Sequence, residues 1–397
     1  MSEKKAFRES ALVHIRGGIL SLLSLSVLLF GCVAPKENED GLVLINGLLV
    51  DGTGSAPVPN AVVVIQSEHI TAIGSSRTVE IPRGARVIDL NGATILPGFI
   101  NAHVHYAFDK ENLKAWVYGG VTTVRDEGII SSGALKEFMA QRNANNQNPQ
   151  YARVVSAGRM IAVPNGYGWL YVNSPEEARQ KVFEELDSGA DMIKISMEDG
   201  YAGRSGLPKL TGDEIAAIVG AAHERGRRVS GHITQAGYLQ ILVEAGVDDI
   251  AHIAYDIVPD EVWSTMVSRN IFLVPTFTVF RNYGAPVDTC VLNLSNYLKH
   301  GGQVALGNDY GGGPSNFELG IPMYEVEKMS EAGMTPMQII IASTKNAAIV
   351  SGIENEAGSL EIGKFADILV VSGNPLEDLQ NLQSIQIVIH KGHIIRE

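Results

Sequence analysis

The sequence predicts an α/β protein: a (β/α)8 barrel of the TIM type carrying a small β-sandwich assembled from both ends of the chain. Three observations predict it. Strand-like and helix-like segments alternate through the middle of the chain, short β-branched runs broken by Gly, Pro and Asn fill both ends, and polar residues close the central apolar runs. With 397 residues, 45% hydrophobic and 19% charged, the chain can bury a large core in an ordinary globular balance. The net charge of -13, without a Lys/Arg block beyond the extreme N-terminus, excludes a surface that tracks nucleic-acid phosphates.

Residues 1–31 follow a different logic. Lys4, Lys5, Arg8 and Arg16 precede the apolar run ILSLLSLSVLLF (residues 19–30), which is shorter than the roughly 20 residues a bilayer span needs. This reads as a secretory signal. It ends in LFGC, and the small residue before Cys32 resembles the lipobox of bacterial lipoproteins, which implies lipidation of Cys32 and an exported, membrane-anchored protein. Only Cys290 remains as a second cysteine, so an acylated Cys32 leaves no intramolecular disulfide. Residues 32–41, polar and containing a Pro, form a tether.

Residues 42–93 give the first part of the β-sandwich and residues 358–397 the second. Between them, residues 94–357 provide eight strand-like runs: TILPGFINAHVH, GVTTVRD, ARVVSAG, DMIKIS, RRVSGHI, DDIAHI, IFLVPTF and QVALGND. Helical patterns separate most of these, including SPEEARQKVFEELDSG, with Ser174 as N-cap before Pro175, and TGDEIAAIVGAAHERG. Residues 276–298 carry the least clear pattern.

Active-site groups of such a barrel project from the C-terminal strand ends. His103 and His105 stand two apart at the first strand's end, so both rings face one side and two nitrogens can converge on a cation. The pair alone also suits one core histidine beside an exposed one. Lys194 lies between Ile193 and Ile195, where an unpaired ammonium is strongly disfavoured. It could form a Schiff base with a carbonyl substrate, pair with a carboxylate, or be carbamylated by CO2. His232, His252 and Asp309 close strands five, six and eight. His14 falls in the signal, His69, His390 and His393 in the terminal β-segments, and His223 and His300 on helix-like segments.

This constellation resembles the metal-dependent amidohydrolase superfamily over nearly everything after the tether. PGFINAHVH is similar to its strand-one motif and GSLEIGKFADILVV to its C-terminal return. GADMIKIS, RVSGHITQAGYLQILVEAGVDDIAH and ALGND resemble the branch of imidazolonepropionase-like proteins and prolidases. The resemblance implies two divalent ions, usually Zn2+, bridged by a carboxylated Lys194 (a CO2-derived carbamate). His103, His105 and Asp309 would hold one ion, and His232 and His252 the other. A bridging hydroxide would be the nucleophile, with Asp309 as catalytic residue moving its proton to the leaving amine. Ile233, Thr234 and Gln235 follow His232 where superfamily deaminases carry a Glu shuttle, and Asn308 and Tyr310 flank Asp309 where other residues are commoner. The branch implies a small amide substrate, a Xaa-Pro dipeptide foremost or an N-acyl amino acid, with homo-oligomerisation left open. The loop VPNGYGWLY (residues 163–171) offers Tyr167, Trp169 or Tyr171 to a substrate or forms a structural turn with packed aromatics, and Arg125 and Arg281 are single candidates for a substrate carboxylate, with solvent or an acidic neighbour the favoured partner of each. Alternatives are cleavage of lactones, carbamates or phosphotriesters at the same centre, a Schiff-base aldolase using Lys194, and a non-catalytic binding lipoprotein.

Overall fold

The computed structural model describes residues 41–130, 134–201, 204–312 and 317–397. The signal, Cys32, His14 and most of the tether lie outside the described residues. Among the described residues no helix is long and apolar enough to cross a membrane.

The two chain ends share one eight-stranded sheet. Its order is His393–Arg396, Ile385–His390, Ile368–Val371, Thr94–Pro97, Gly41–Leu49, Val58–Gln66 and His69–Ser75, with Arg86–Asp89 also paired to Gly41–Leu49. The junction between the ends is antiparallel, Ile368 opposite Pro97 and Val371 opposite Thr94. Leu44, Val63, Ile65, Ile95, Ile368, Val370 and Ile389 build a common core there. That burial, distributed over segments some 270 residues apart in sequence, is the hydrophobic reason the ends meet.

Between these ends every sheet of more than two strands is parallel. Phe99–Val104, Val121–Asp126 and Arg153–Ser156 form one sheet. Leu170–Tyr171, Ile161–Ala162, Ile193–Met197, Val229–Ile233, Asp249–Ala251 and Phe272–Val274 form a second. The central strands Ile193–Met197, Val229–Ile233 and Asp249–Ala251 are buried on both faces, with helices such as Pro175–Asp187, Gly212–Glu224 and Ala236–Ala245 between strands in sequence. Ser174 Oγ accepts from Glu177 N at 3.2 Å, and Thr211 and Glu214 form a reciprocal capping box. The assigned strands make no closed barrel. Single backbone bonds link the two sheets instead: Asp191 N to Ser156 O at 2.8 Å on one side, and on the other the segment around Val304, which bonds to Leu273 and, through Leu306, to Ala102 N at 2.8 Å.

Two expected runs fold differently in detail, and the least clear stretch resolves into helices. TILPGFINAHVH splits at Gly98, whose N–H bonds to Asp367 O, so its first half joins the terminal sheet. QVALGND makes isolated bridges, Leu273 to Val304 and Val104 to Tyr310, rather than a strand. Gly307 permits this approach: a Cβ there would lie 2.6 Å from Val274 Cγ1 and 2.8 Å from His103 N. Residues 276–298 become two helices, Phe277–Tyr283 and Val287–Lys299, turned by Gly284 at φ +71°.

Candidate metal centre

The histidines and Asp309 stand at or just past the C-terminal end of a parallel strand or bridge, whereas Lys194 is the second residue of its strand. His103 is in Phe99–Val104 and His105 follows it, His232 is in Val229–Ile233, and Lys194 is in Ile193–Met197. His252 follows Asp249–Ala251 at φ +72°, and Asp309 has φ +55°. Left-handed backbone at a residue with a Cβ persists only where the surroundings impose it. Here His252 N bonds to Val274 O and Asp309 N to His103 O, both at 2.9 Å. Asn101 ties the two neighbourhoods together, its Nδ2 donating to Asn308 Oδ1 at 2.8 Å while its Oδ1 accepts from His103 N.

The side chains converge. His103 Nε2 and His105 Nε2 each lie 3.2 Å from Asp309 Oδ1. Ligand atoms of His103, His252 and Asp309 fall within 4.8 Å of one another, and the His252 ring centroid is 4.7 Å from that of His103 and 4.5 Å from that of His232. Burial pushes His103 down to about 4 and His252 well below its ordinary 6.5, and it lowers His232 as well, so these imidazoles are neutral near pH 7. Burial also opposes charge on His105, yet its hydrogen bond and attraction to Asp309 prevail and raise it. Burial would raise Asp309, but the field of His103 and hydrogen bonds from His103 and His105 hold it well below the carboxylate range.

Neutral imidazoles around an anionic carboxylate are the donor set of a divalent ion such as Zn2+. Two further details fit one. His105 Nδ1 bonds to Gly128 O at 3.0 Å and His252 Nδ1 to Thr276 Oγ1 at 2.7 Å, which leaves Nε2 of each ring for a cation. His103 Nδ1 is buried without a partner.

Lys194 does not join the histidine cage by direct contact. Its Nζ donates to Glu127 Oε2 at 2.5 Å, with both side chains out of water. Glu127 Oε1 lies 2.8 Å from Arg125 Nε, and Arg125 spends its other nitrogens on Asp249 at 2.9 and 3.0 Å and on Val350 O. Burial would raise Glu127, but Arg125 and then Lys194 keep it well below its ordinary value, while burial lowers Lys194. Arg125 is therefore a buried, fully paired strut and not a contact for a substrate carboxylate. Arg281 lies with its guanidinium 3.9 Å over the Tyr324 ring.

Sequence reasoning missed Glu127 and Glu198. A signal for the first existed in VRDEG, where three charged residues end a strand whose apolar part is core; all three are buried. Glu198, one residue past the Lys194 strand, accepts from His232 at 3.0 Å, Thr234 Oγ1 at 2.9 Å and Gly200 N at 2.8 Å. Thr234, noted only as a departure, thus helps hold a carboxylate beside His232. Tyr167 is half-buried with its ring 4.8 Å from that of His232, Trp169 is 5.9 Å from Tyr167, and Tyr171 is exposed.

Residues 94–395 match the model of the Amidohydrolase family. The chain belongs to the amidohydrolase family. Members of this family are hydrolases acting on amide bonds and are typically metal-dependent. Among curated relatives, an ochratoxinase from Aspergillus niger is 24% identical, covering 90% of this chain and 86% of its own. An imidazolonepropionase from Symbiobacterium thermophilum is 24% identical over 80% of this chain and 85% of its own. Among solved structures, a Xaa-Pro dipeptidase with methionine bound in its active site superposes with a TM-score of 0.78 at 26% identity, covering 90% of this chain and all of that one.

Proposed function

We propose that this amidohydrolase cleaves a C–N amide bond of a small molecule at a centre of two divalent ions, with Zn2+ suited to the imidazole and carboxylate donors present. The observation that carries this is the convergence of His103, His105 and His252 on an anionic Asp309. His103, His105 and Asp309 would hold one ion, and His232 and His252 the other. When bound, the ions supply an activated water and polarise the substrate carbonyl. Asp309 is the group that would take a proton from the attacking water and pass it to the leaving amine. Tyr167, beside His232, borders the substrate.

Lys194 in carboxylated form would be a further anionic ligand. A second reading is favoured by the 2.5 Å contact: Glu127 already neutralises the ammonium, so Lys194 stays unmodified and Glu127 supplies the nearby negative charge. Carbon-13 NMR of protein loaded with labelled bicarbonate separates the two, because only the first gives a carbamate carbon that Lys194→Met removes.

A Xaa-Pro dipeptide is the leading substrate, supported by the Xaa-Pro dipeptidase neighbour; an N-acyl amino acid is the next. The architecture behind this reading is a (β/α)8 barrel over residues 94–357, supported by the bonds linking both parallel sheets to the Val304 segment, with residues 42–93 and 358–397 as the accessory β-domain. Export and anchoring through a lipidated Cys32 complete the proposal. Turnover of a dipeptide and N-acyl amino acid panel, with and without a chelator, tests it: cleavage that chelation abolishes and Zn2+ restores supports it, and chelator-resistant cleavage contradicts it.

A further inference from the structure

Glu325 is fully buried on the helix Met323–Glu331, away from the histidine cage. Its carboxylate accepts from Phe277 N at 2.9 Å, Thr278 N at 2.6 Å and Thr278 Oγ1 at 2.6 Å. Those donors form the first turn after Thr276. The helix they begin, Phe277–Tyr283, has no side-chain cap of its own from Thr276. Thr276 stands at φ +54°, which a β-branched residue adopts only under constraint. In that conformation its hydroxyl lies 2.7 Å from His252 Nδ1.

A buried carboxylate without a cation is costly, and burial pushes this one up to about 7 despite its three donors. No catalytic step uses it, and it touches none of the ligands. Its role must pass through what it clamps.

We propose that Glu325 is a positioning residue for the metal centre: it grips the Phe277–Thr278 backbone, holds Thr276 in its left-handed conformation, and so fixes the ring and tautomer of His252. Thr276 Oγ1 accepts the Nδ1 proton, and Nε2 is left as the nitrogen that faces the cage. This rests on the metal-centre reading above for its purpose, but its geometry is a property of the metal-free chain.

The test compares the full chain with Thr276→Val, Thr276→Ser, Glu325→Gln and the Thr276→Val/Glu325→Gln double variant. Histidine tautomers are read by 15N NMR on chelator-treated protein, with the His252 resonance assigned by His252→Gln, and Zn2+ affinity is measured by competition. The wild type and Thr276→Ser should show a protonated Nδ1 at His252. Thr276→Val and Glu325→Gln should lose that signature and bind Zn2+ about 10–100-fold more weakly. The double variant should be no weaker than the worse single, because both act on one bond. An unchanged His252 signature in Glu325→Gln, or a double variant whose loss multiplies the two singles, would overturn the proposal. Should Glu325→Gln fail to fold, Thr278→Val removes one donor to the same carboxylate and must still perturb the His252 signature. A wild type that binds no Zn2+ yet shows the expected tautomers would sink the metal reading and leave the positioning claim intact.

Discussion

Replacing Glu127 with Gln removes the only carboxylate in contact with Lys194 among the described residues while keeping the side chain's shape. Lys194 is 1% exposed and Glu127 is 0% exposed, so neither can recruit bulk solvent after the change. Breaking a buried ion pair by deleting one partner costs about 3–5 kcal/mol, because an uncompensated charge stays inside. Arg125 loses one contact but keeps Asp249, Ala102 O and Val350 O, which confines the damage to Lys194. The Glu127→Gln/Lys194→Met double variant removes both charges and should recover most of that loss. Urea unfolding of chelator-treated protein measures it, and Glu111→Gln, in an exposed pair with Lys114, is a control that should leave the midpoint unmoved. The folded pKa of Glu127 is depressed below its ordinary 4.5, so its contribution is fully present above that pH and drains away as pH falls through the folded value. Glu127→Gln should therefore flatten the acid limb of the stability curve. A single variant within about 1 kcal/mol of wild type, or a double variant that costs more than the single, would refute the reasoning.

Three further outcomes are expected. Asp309→Asn should cut kcat about 10²–10⁴-fold on any amide the enzyme turns over, as expected for loss of a positioned general base, and a kcat within a few-fold of wild type would remove that role. Cys290 is buried, and its thiol is pushed up to about 12; in a Cys32→Ser background it should resist thiol reagents until the chain unfolds, and native-state labelling at a free-thiol rate would contradict the burial. Asp367 accepts from His390 Nδ1 at 2.8 Å and Lys391 N at 2.9 Å and lies 3.4 Å from Arg153. Its burial is outweighed by His390 and Arg153, which depress its pKa, so its stabilisation holds above pH 3.8 and fades below; Asp367→Asn should cost about 3 kcal/mol at pH 7 by urea unfolding and lose that acid dependence.

The site histidines were legible because each closes an apolar run, and a run's end is a local property of sequence. His103, His105, His232 and His252 could be named that way, and Asp309 with them. Glu127 could not: its pairing with Lys194 joins residues 67 apart, and no spacing rule connects strand ends before the sheet order is known. The acidic pairing favoured for Arg125 could not be given a partner for the same reason, since Asp249 lies 124 residues on. The alternation of strands and helices was readable, including the strand-like run at Val304, yet its reduction to isolated bridges that Gly307 permits was not. The role of Thr276 was hidden in the least periodic stretch of the chain.

In the proposed reading, turnover depends on metal held by the converging histidines and Asp309. Metal analysis of purified full-length protein, expressed with bicarbonate and assayed in the same preparation on a Xaa-Pro dipeptide panel, tests it most directly. The account predicts about two divalent ions per chain, with loss of metal and of turnover together in Asp309→Asn. Turnover by protein holding less than one ion per chain would contradict it.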